Sequence, residues 1–500
     1  MPPSSPRNHI PVPPALAIPL LLLAGACSPI GPDYQRPEPA GAVPDAYASP
    51  GPWKSATPRD HLPRGRWWAA YGDPVLDGLL TTASDLRDGA GTPSLHTALA
   101  RLDEARALAG MERAALWPEI GAEAGAGRAR SEANRRAGTP GYTNDSYSLG
   151  VDLRYELDLW GRVRRSKEAA GERANAAAAD FNNALLSLQT TVARAYFNLR
   201  ALDDERELVS LYLQSQHKSL EIVRRRKALG ADDGLDLSLA ETEVHAAEGD
   251  LHEIERQRAG VLLEIAALCG KNPSGFGIAP DPAAARLRPP EIPVGLPSEL
   301  LERRPDIAAS ERELHALTAE IGVARAAFYP AVTLFGKLGF ASTDFATTLD
   351  WDSRFWALAP SISLPVFEGG RNEQNLRRAE ARVRAATAAY RQNILNAFKE
   401  VETCLGDLRL LSERGEKLER AVAAGDRAAA LVNKRYKGGS VSYMDVTVAE
   451  RRAISIKRDA ARVRGQQLST SVLLVKAIGG GWDAAPGPSG TGMEEPRPAP

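Results

Sequence analysis

Cysteine and histidine are scarce in this 500-residue chain, with three of one and seven of the other. That is too few for a disulfide scaffold or a cysteine-rich zinc module. No charge sign predominates, since 62 Lys and Arg stand against 63 Asp and Glu. The chain therefore presents no basic surface of the kind nucleic acid requires, and no nucleic-acid partner is expected. No apolar run reaches the roughly 20 residues that a transmembrane helix needs. There is no nucleophile elbow, P-loop or dinucleotide loop either. These gaps call for neither an enzyme nor a cofactor.

Proline is missing in a telling pattern. The chain has 36 prolines, yet none lies between Pro140 and Pro273 or between Pro365 and Pro486. A proline in a helix interior costs about 3 kcal/mol, so the two gaps predict two long helical blocks. The hydrophobic fraction of 43% suits a folded chain.

At the N-terminus, Arg7 and His9 precede an apolar run from Ala15 to Leu23, followed by Ala24-Gly25-Ala26-Cys27. This is the layout of a secretory signal with small residues before the cut. A cysteine directly after them resembles the bacterial lipobox, with Ala24 where leucine is usual. In that resemblance Cys27 is acylated, and Ser28 after it implies sorting to the outer membrane. The plainer alternative is an ordinary signal peptide with a chance cysteine.

The rest of the chain is written twice. Gly230, Asp236, Ala240 and Glu241 recur as Gly439, Asp445, Ala449 and Glu450; Gly161-Arg162 recurs as Gly370-Arg371 and Gly270 as Gly479. Each unit, of about 209 residues, is far longer than a solenoid repeat. In the first copy Leu185, Leu188, Val192, Ala195, Leu199, Leu202, Val209, Leu213, Leu220 and Val223 form a heptad seam interrupted at Arg206 and Gln216. The pattern predicts a long helix from about Trp160 to Leu229, then a shorter one from about Asp233 to Cys269. A helix of about 70 residues runs about 105 Å. The second copy predicts helices near Asp306–Ala327, Arg371–Lys437 and Ser442–Ile478.

Period-two alternation marks strands. Tyr147, Leu149, Val151, Leu153, Tyr155, Leu157 and Leu159 alternate with polar residues or glycine, and Trp356, Leu358, Ile362, Leu364 and Val366 mark a matching strand. Val332, Leu334, Leu338 and Phe340 mark its neighbour, while Ile120–Arg130 is weaker and dominated by Ala and Gly. A tilted strand of about 9–11 residues crosses a bilayer, although a soluble half-buried sheet alternates too. Four strands cannot close a barrel, and open edges do not survive in hydrocarbon. If these strands span a membrane, several protomers must pool them.

Read in order, the motifs resemble the outer-membrane efflux family, the TolC- and OprM-like factors. They are Gly31-Pro32-Asp33-Tyr34, Trp67-Trp68, Asp73-Pro74, Glu156-Leu157-Asp158-Leu159-Trp160-Gly161-Arg162, Leu296-Pro297-Ser298-Glu299-Leu300-Leu301, Arg303-Arg304-Pro305-Asp306-Ile307, Phe328-Tyr329-Pro330, and Leu364-Pro365-Val366-Phe367 with Gly369-Gly370-Arg371. The resemblance implies an α+β membrane protein: a homotrimer with a twelve-stranded outer-membrane β-barrel, four strands per protomer, and a long antiparallel α-helical coiled-coil tunnel. It implies a periplasmic adaptor, an inner-membrane pump of the resistance-nodulation-division type, and export of small toxic compounds. The chain then divides into a signal peptide (1–26), a lipid-anchored extended and equatorial part (27–92), a first repeat (93–272), a linker (273–295), a second repeat (296–479) and a disordered tail (480–500).

The resemblance also nominates sites. Asp445 falls where the family places an acidic ring at its periplasmic constriction, with Asp236 as its repeat equivalent. Arg226 and Arg435 are expected to be their partners, and Val448 stands where a second carboxylate is usual. Helix tips carrying Gly230, Asp232, Asp233, Gly438, Gly439 and Ser440 are expected to face the adaptor. Equally, Asp236 and Asp445 could simply complement helix N-termini. His245, Glu248 and His252 share a helix face, a pattern commoner on solvated helices than at metals, so no metal is expected. Cys269 and Cys404 are read as unpaired. Two other functions compete: an exit channel for type I secretion on the same fold, and a non-channel coiled-coil lipoprotein scaffold.

Overall fold

The computed structural model describes residues 29–38, 65–87, 90–130, 132, 141–230, 234–281, 287–290, 292 and 303–480. The signal segment, Cys27, Asp232, Asp233, Leu296–Leu301 and the tail from 481 onward lie outside them. In chain order the elements are α1 (Pro74–Ala83), α2 (Pro93–Ala114), β1 (Glu119–Arg130), β2 (Thr143–Leu157), α3 (Arg162–Ala228) and α4 (Leu235–Leu268). The series continues with α5 (Pro305–Ala326), β3 (Ala331–Ser342), β4 (Arg354–Ser363), α6 (Arg371–Lys437) and α7 (Tyr443–Ala477).

From α2 onward the order helix, two strands, long helix, shorter helix occurs twice. Both long helices have 67 residues. The duplication extends to backbone conformation. Gly161, Gly230 and Gly270 have φ of 78°, 74° and 66°; their repeat equivalents Gly370, Gly439 and Gly479 have 85°, 73° and 87°. These glycines precede each long helix and end each helix of the pair, where a left-handed residue redirects the chain without a Cβ penalty.

The chain forms two compact units. One contains the sheet, the N-terminal segment and the adjoining parts of α2, α3, α5 and α6. The sheet is antiparallel throughout, in the order β1-β2-β3-β4. β4 ends at Ser363, three residues short of the alternation that reaches Val366 in the sequence. Pro365 accounts for this, because it donates no ladder hydrogen bond and restricts Leu364 before it.

The other unit is helical, with its main core built on the α3 seam. Leu188, Val192, Ala195, Leu199, Leu202 and Val209 are buried there with Trp67, Trp68, Leu76, Ile265 and Val472. Asp73 starts α1 by accepting from Val75 N at 2.9 Å and Leu76 N at 3.1 Å, the usual N-cap arrangement. Trp67 donates to Gln189 at 3.2 Å and Trp68 to Asp77 at 2.7 Å, so the tryptophan pair of the sequence caps this core.

Candidate functional site

The two faces of the sheet differ chemically. Register places Ile120, Ala122, Ala124 and Ala126 beside Leu153, Val151, Leu149 and Tyr147. That face continues through Leu334, Gly336, Leu338 and Phe340, then Pro360, Leu358 and Trp356. Leu338, Trp356 and Ile362 are 64%, 76% and 72% exposed, a contiguous apolar surface that seeks cover. The opposite face carries Glu123, Asp152, Arg154, Glu156 and Lys337. Lys337 Nζ lies 3.8 Å from Glu123, and Arg154 sits 5.8 Å from the Phe335 ring centroid. Gly121 makes room for this polarity, since a Cβ there would come within 2.7 Å of Asp152 Oδ1. Apolar on one side and polar on the other is what a strand between lipid and a watery lumen presents.

Aromatic side chains flank the sheet at both ends. Trp160 and Tyr329, on the side where the strands meet the helices, pack with centroids 4.8 Å apart, and Trp160 Nε1 donates to Pro330 O at 2.8 Å. At the hairpin side Tyr147 meets Phe345 edge-on at 5.5 Å. Paired aromatic girdles are a mark of membrane barrels.

The N-terminal segment is bound beside the inner girdle. Ile30 N donates to Trp160 O at 3.0 Å, and a side chain at Gly161 would come within 2.5 Å of Pro29. Further along, Asp33 pairs with Arg165 at 2.7 Å and Arg36 with Glu311 at 2.5 Å. Tyr34 stacks on His315 at 4.5 Å. Burial, reinforced by Glu311, pushes the Tyr34 hydroxyl well above its ordinary range.

In the helical unit, the turn between α6 and α7 is capped from within. Ser442 N donates to Asp445 Oδ2 at 2.9 Å and Asp445 N to Ser442 Oγ at 3.3 Å, a reciprocal capping box. The hydrogen bonds from Ser442 hold the Asp445 carboxyl below its ordinary value. Arg226 lies over the Tyr436 ring at 4.9 Å, and Tyr436 packs on Tyr443 at 5.5 Å. Among the described residues no ion pair joins Asp445 to Arg226 or Arg435. Gly230 and Gly439 turn the chain at the two tips, with Leu229, Leu235, Met444 and Val448 exposed near them. Ser440 N donates to Arg435 O at 3.0 Å, closing the helix end ahead of Gly438 and Gly439.

Sequence reasoning missed a set of carboxylates in α3 and α4. Glu205 receives Arg458 at 2.6 Å and Arg462 at 2.7 Å; Asp250 receives Arg458 at 2.6 Å, Asp204 receives Arg464 at 2.6 Å, and Glu243 pairs with Arg451. Every arginine is on α7 and every acid on the first repeat. Gln216, which interrupts the heptad seam, donates to Glu450 at 2.6 Å. Nothing in the sequence distinguishes these acids from solvated helix charges.

The remaining candidates have local partners. His245 lies 2.9 Å from Glu248, and His252 lies 3.7 Å from Glu255 on an exposed helix face. Cys269 and Cys404 are buried free thiols, and burial pushes each up to about 11.

A lipid-compatible sheet, two aromatic girdles and long paired helices define an outer-membrane channel protein. Residues 90–271 and 296–480 match the Outer membrane efflux protein family, and the chain belongs to it. It is 34% identical to the outer membrane protein OprJ of Pseudomonas aeruginosa, across 94% of this chain and 97% of that one. The pyoverdine export outer membrane protein OpmQ of Pseudomonas putida is 33% identical, across 87% and 93%. The solved open-state MtrE outer membrane channel of Neisseria gonorrhoeae superposes with a TM-score of 0.78 at 31% identity, covering 91% of this chain and 98% of that one. The fold class is that of the family's trimeric channels, with four barrel strands per protomer and long tunnel helices. The chain is the outer-membrane channel component of a tripartite efflux system.

Proposed function

We propose that three copies close a twelve-stranded barrel through the outer edges of β1 and β4, and that the duct so formed passes small toxic compounds without bond chemistry. One observation carries the reading: each edge strand has a single neighbour, while the sheet's exposed face is apolar. Unpaired amides in hydrocarbon cost several kcal/mol each, roughly, so copies must supply the missing pairing.

Cys27 anchors the chain by acylation, each chain contributing about 0.8 kcal/mol per buried methylene. The binding of Pro29 and Ile30 against Trp160 and Gly161 supports this, because it brings the chain two residues after Cys27 to the aromatic girdle. The helix tips, with Gly230, Asp232, Asp233, Gly438, Gly439 and Ser440, receive a periplasmic adaptor, which joins the duct to a proton-driven inner-membrane pump. Asp445 and Asp236 line the constriction there, and Arg226 and Arg435 precede the two tips in the chain. Three like charges converging on an axis repel one another, so closure depends on neighbouring contacts.

The test is reconstitution. Expressed with its adaptor and pump in a strain lacking outer-membrane efflux channels, the chain restores export of a fluorescent pump substrate. Normal pump and adaptor levels with no restored export would refute the proposal.

A further inference from the structure

We propose that, in the trimer read above, α6 of one copy docks on α2 of the next through two ion pairs, Arg378 with Glu104 and Arg377 with Asp103. The matching seam inside the chain is packed with alanine instead.

The duplication supplies the template. The sheet runs β1-β2-β3-β4, so the two repeats meet inside the chain at β2 and β3. They meet again at α3, which follows β2, and α5, which precedes β3. Copies that join β4 to β1 bring together the matching elements, α6 after β4 and α2 before β1. α2 and α5 have 22 residues each, and α3 and α6 have 67 each. Setting Pro93 on Pro305 carries Trp117-Pro118 onto Tyr329-Pro330 without a gap, and setting Gly161 on Gly370 carries Arg173 onto Arg382. The sheet checks this transfer. Leu153 lies opposite Gly336, and their equivalents, Ile362 and Ala124, both belong to the apolar face. A slip of one residue would have set the apolar face against the polar one.

Inside the chain, Ala169 of α3 is buried with Ala316 and Ala319 of α5, and Glu168 lies 3.1 Å from His315. The equivalents across copies are Arg378 against Glu104 and Ala107, and Arg377 against Asp103. Each contact becomes a pair of opposite charge. Within one chain, no ion pair reaches Glu104 or Arg378 among the described residues, and Arg378 donates to Asn375 at 2.7 Å. Arg377 and Asp103 have partners on their own helices, Glu373 at 2.6 Å and Arg106 at 3.4 Å, and both side chains stay exposed.

The next turn is compatible. Arg173, which pairs with Glu320 inside the chain, becomes Arg382 against Leu108 of the next copy. Leu108 is 52% exposed and suits an arginine stem. The Arg382 head keeps Glu320 of its own chain at 3.5 Å, which offsets Arg101, the equivalent of Glu313. Alanine lets helix axes approach to about 8 Å, whereas longer side chains hold them nearer to about 10 Å. The seam between copies is therefore wider and more ionic than the seam within the chain, and salt weakens it.

The test uses the full chain purified in detergent. E104C/R378C treated with a short bismaleimide is expected to give covalent dimers and trimers on denaturing gels, and either single substitution none. R378E should lower the yield of detergent-resistant trimer at least about threefold, and R378E/E104R should restore it. R409E, which changes a helix charge elsewhere, should leave it unaltered. A trimer with no link between copies from the cysteine pair overturns the seam, as does failure of E104R to rescue R378E. Should the cysteine pair not assemble, the charge swap decides alone. Either failure leaves the channel reading standing if planar bilayers still show conductance steps, whereas a monomeric wild type overturns both.

Discussion

Glu205 of α3 accepts a 2.6 Å hydrogen bond from Arg458 of α7, so a carboxylate of the first repeat is neutralised by a guanidinium of the second. Glu205 is 4% exposed and depends on Arg458 and Arg462 for compensation. Glu205→Ala is expected to cost about 1–3 kcal/mol, the range for losing a charged hydrogen-bond partner. Thermal unfolding in detergent reads this as a lower Tm. Arg462→Ala, which removes the more exposed partner, should cost less.

A pH dependence follows from Arg304 and Asp306. Burial raises the Asp306 carboxyl, but the hydrogen bonds and charge of Arg304 outweigh it and leave it below its ordinary value. A depressed carboxylate stabilises the fold above its unfolded pKa, near about 3.9, and that contribution is lost as pH falls through the folded value. Tm should therefore fall between about pH 5 and pH 3 more steeply in the wild type than in Asp306→Asn. Parallel pH profiles would remove this pair from the acid response.

The faces of the sheet predict opposite tolerances at adjacent positions. Leu338→Arg places a charge mid-strand on the lipid side, at a cost of about 2–4 kcal/mol, and should reduce assembled trimer in outer membranes. Lys337→Ala, on the other face, should assemble normally. Trimer yield on semi-native gels measures both.

Gating and capping can be separated at the α6–α7 turn. Ser442→Ala removes the hydroxyl partner of Asp445 but keeps the charge, whereas Asp445→Lys reverses it. A constriction role predicts altered ion conductance for Asp445→Lys alone. Equal, unaltered conductance in both would leave Asp445 as a helix cap only.

The parts of the fold legible in the sequence were those with a period. The α3 seam, the alternation of β2 and the repeated glycines each follow from a spacing that only one backbone geometry satisfies. Gln216 broke the seam because its partner, Glu450, is 234 positions away, and no local pattern records such a pairing. The same holds for Arg458 and Glu205, and for the binding of Tyr34 on His315. Asp445 was legible as an acid at a helix start, and its capping box with Ser442 is local. Its proposed place at a shared axis depends on other copies of the chain, about which single-chain spacing carries no information.

The central claim is that separate copies pool their strands around one water-filled bore. Single-channel recording of the purified mature chain in planar bilayers tests it most directly. The account predicts discrete, uniform conductance steps from a detergent-stable trimer. A chain that stays monomeric in water without detergent, and leaves the bilayer electrically silent, would contradict it.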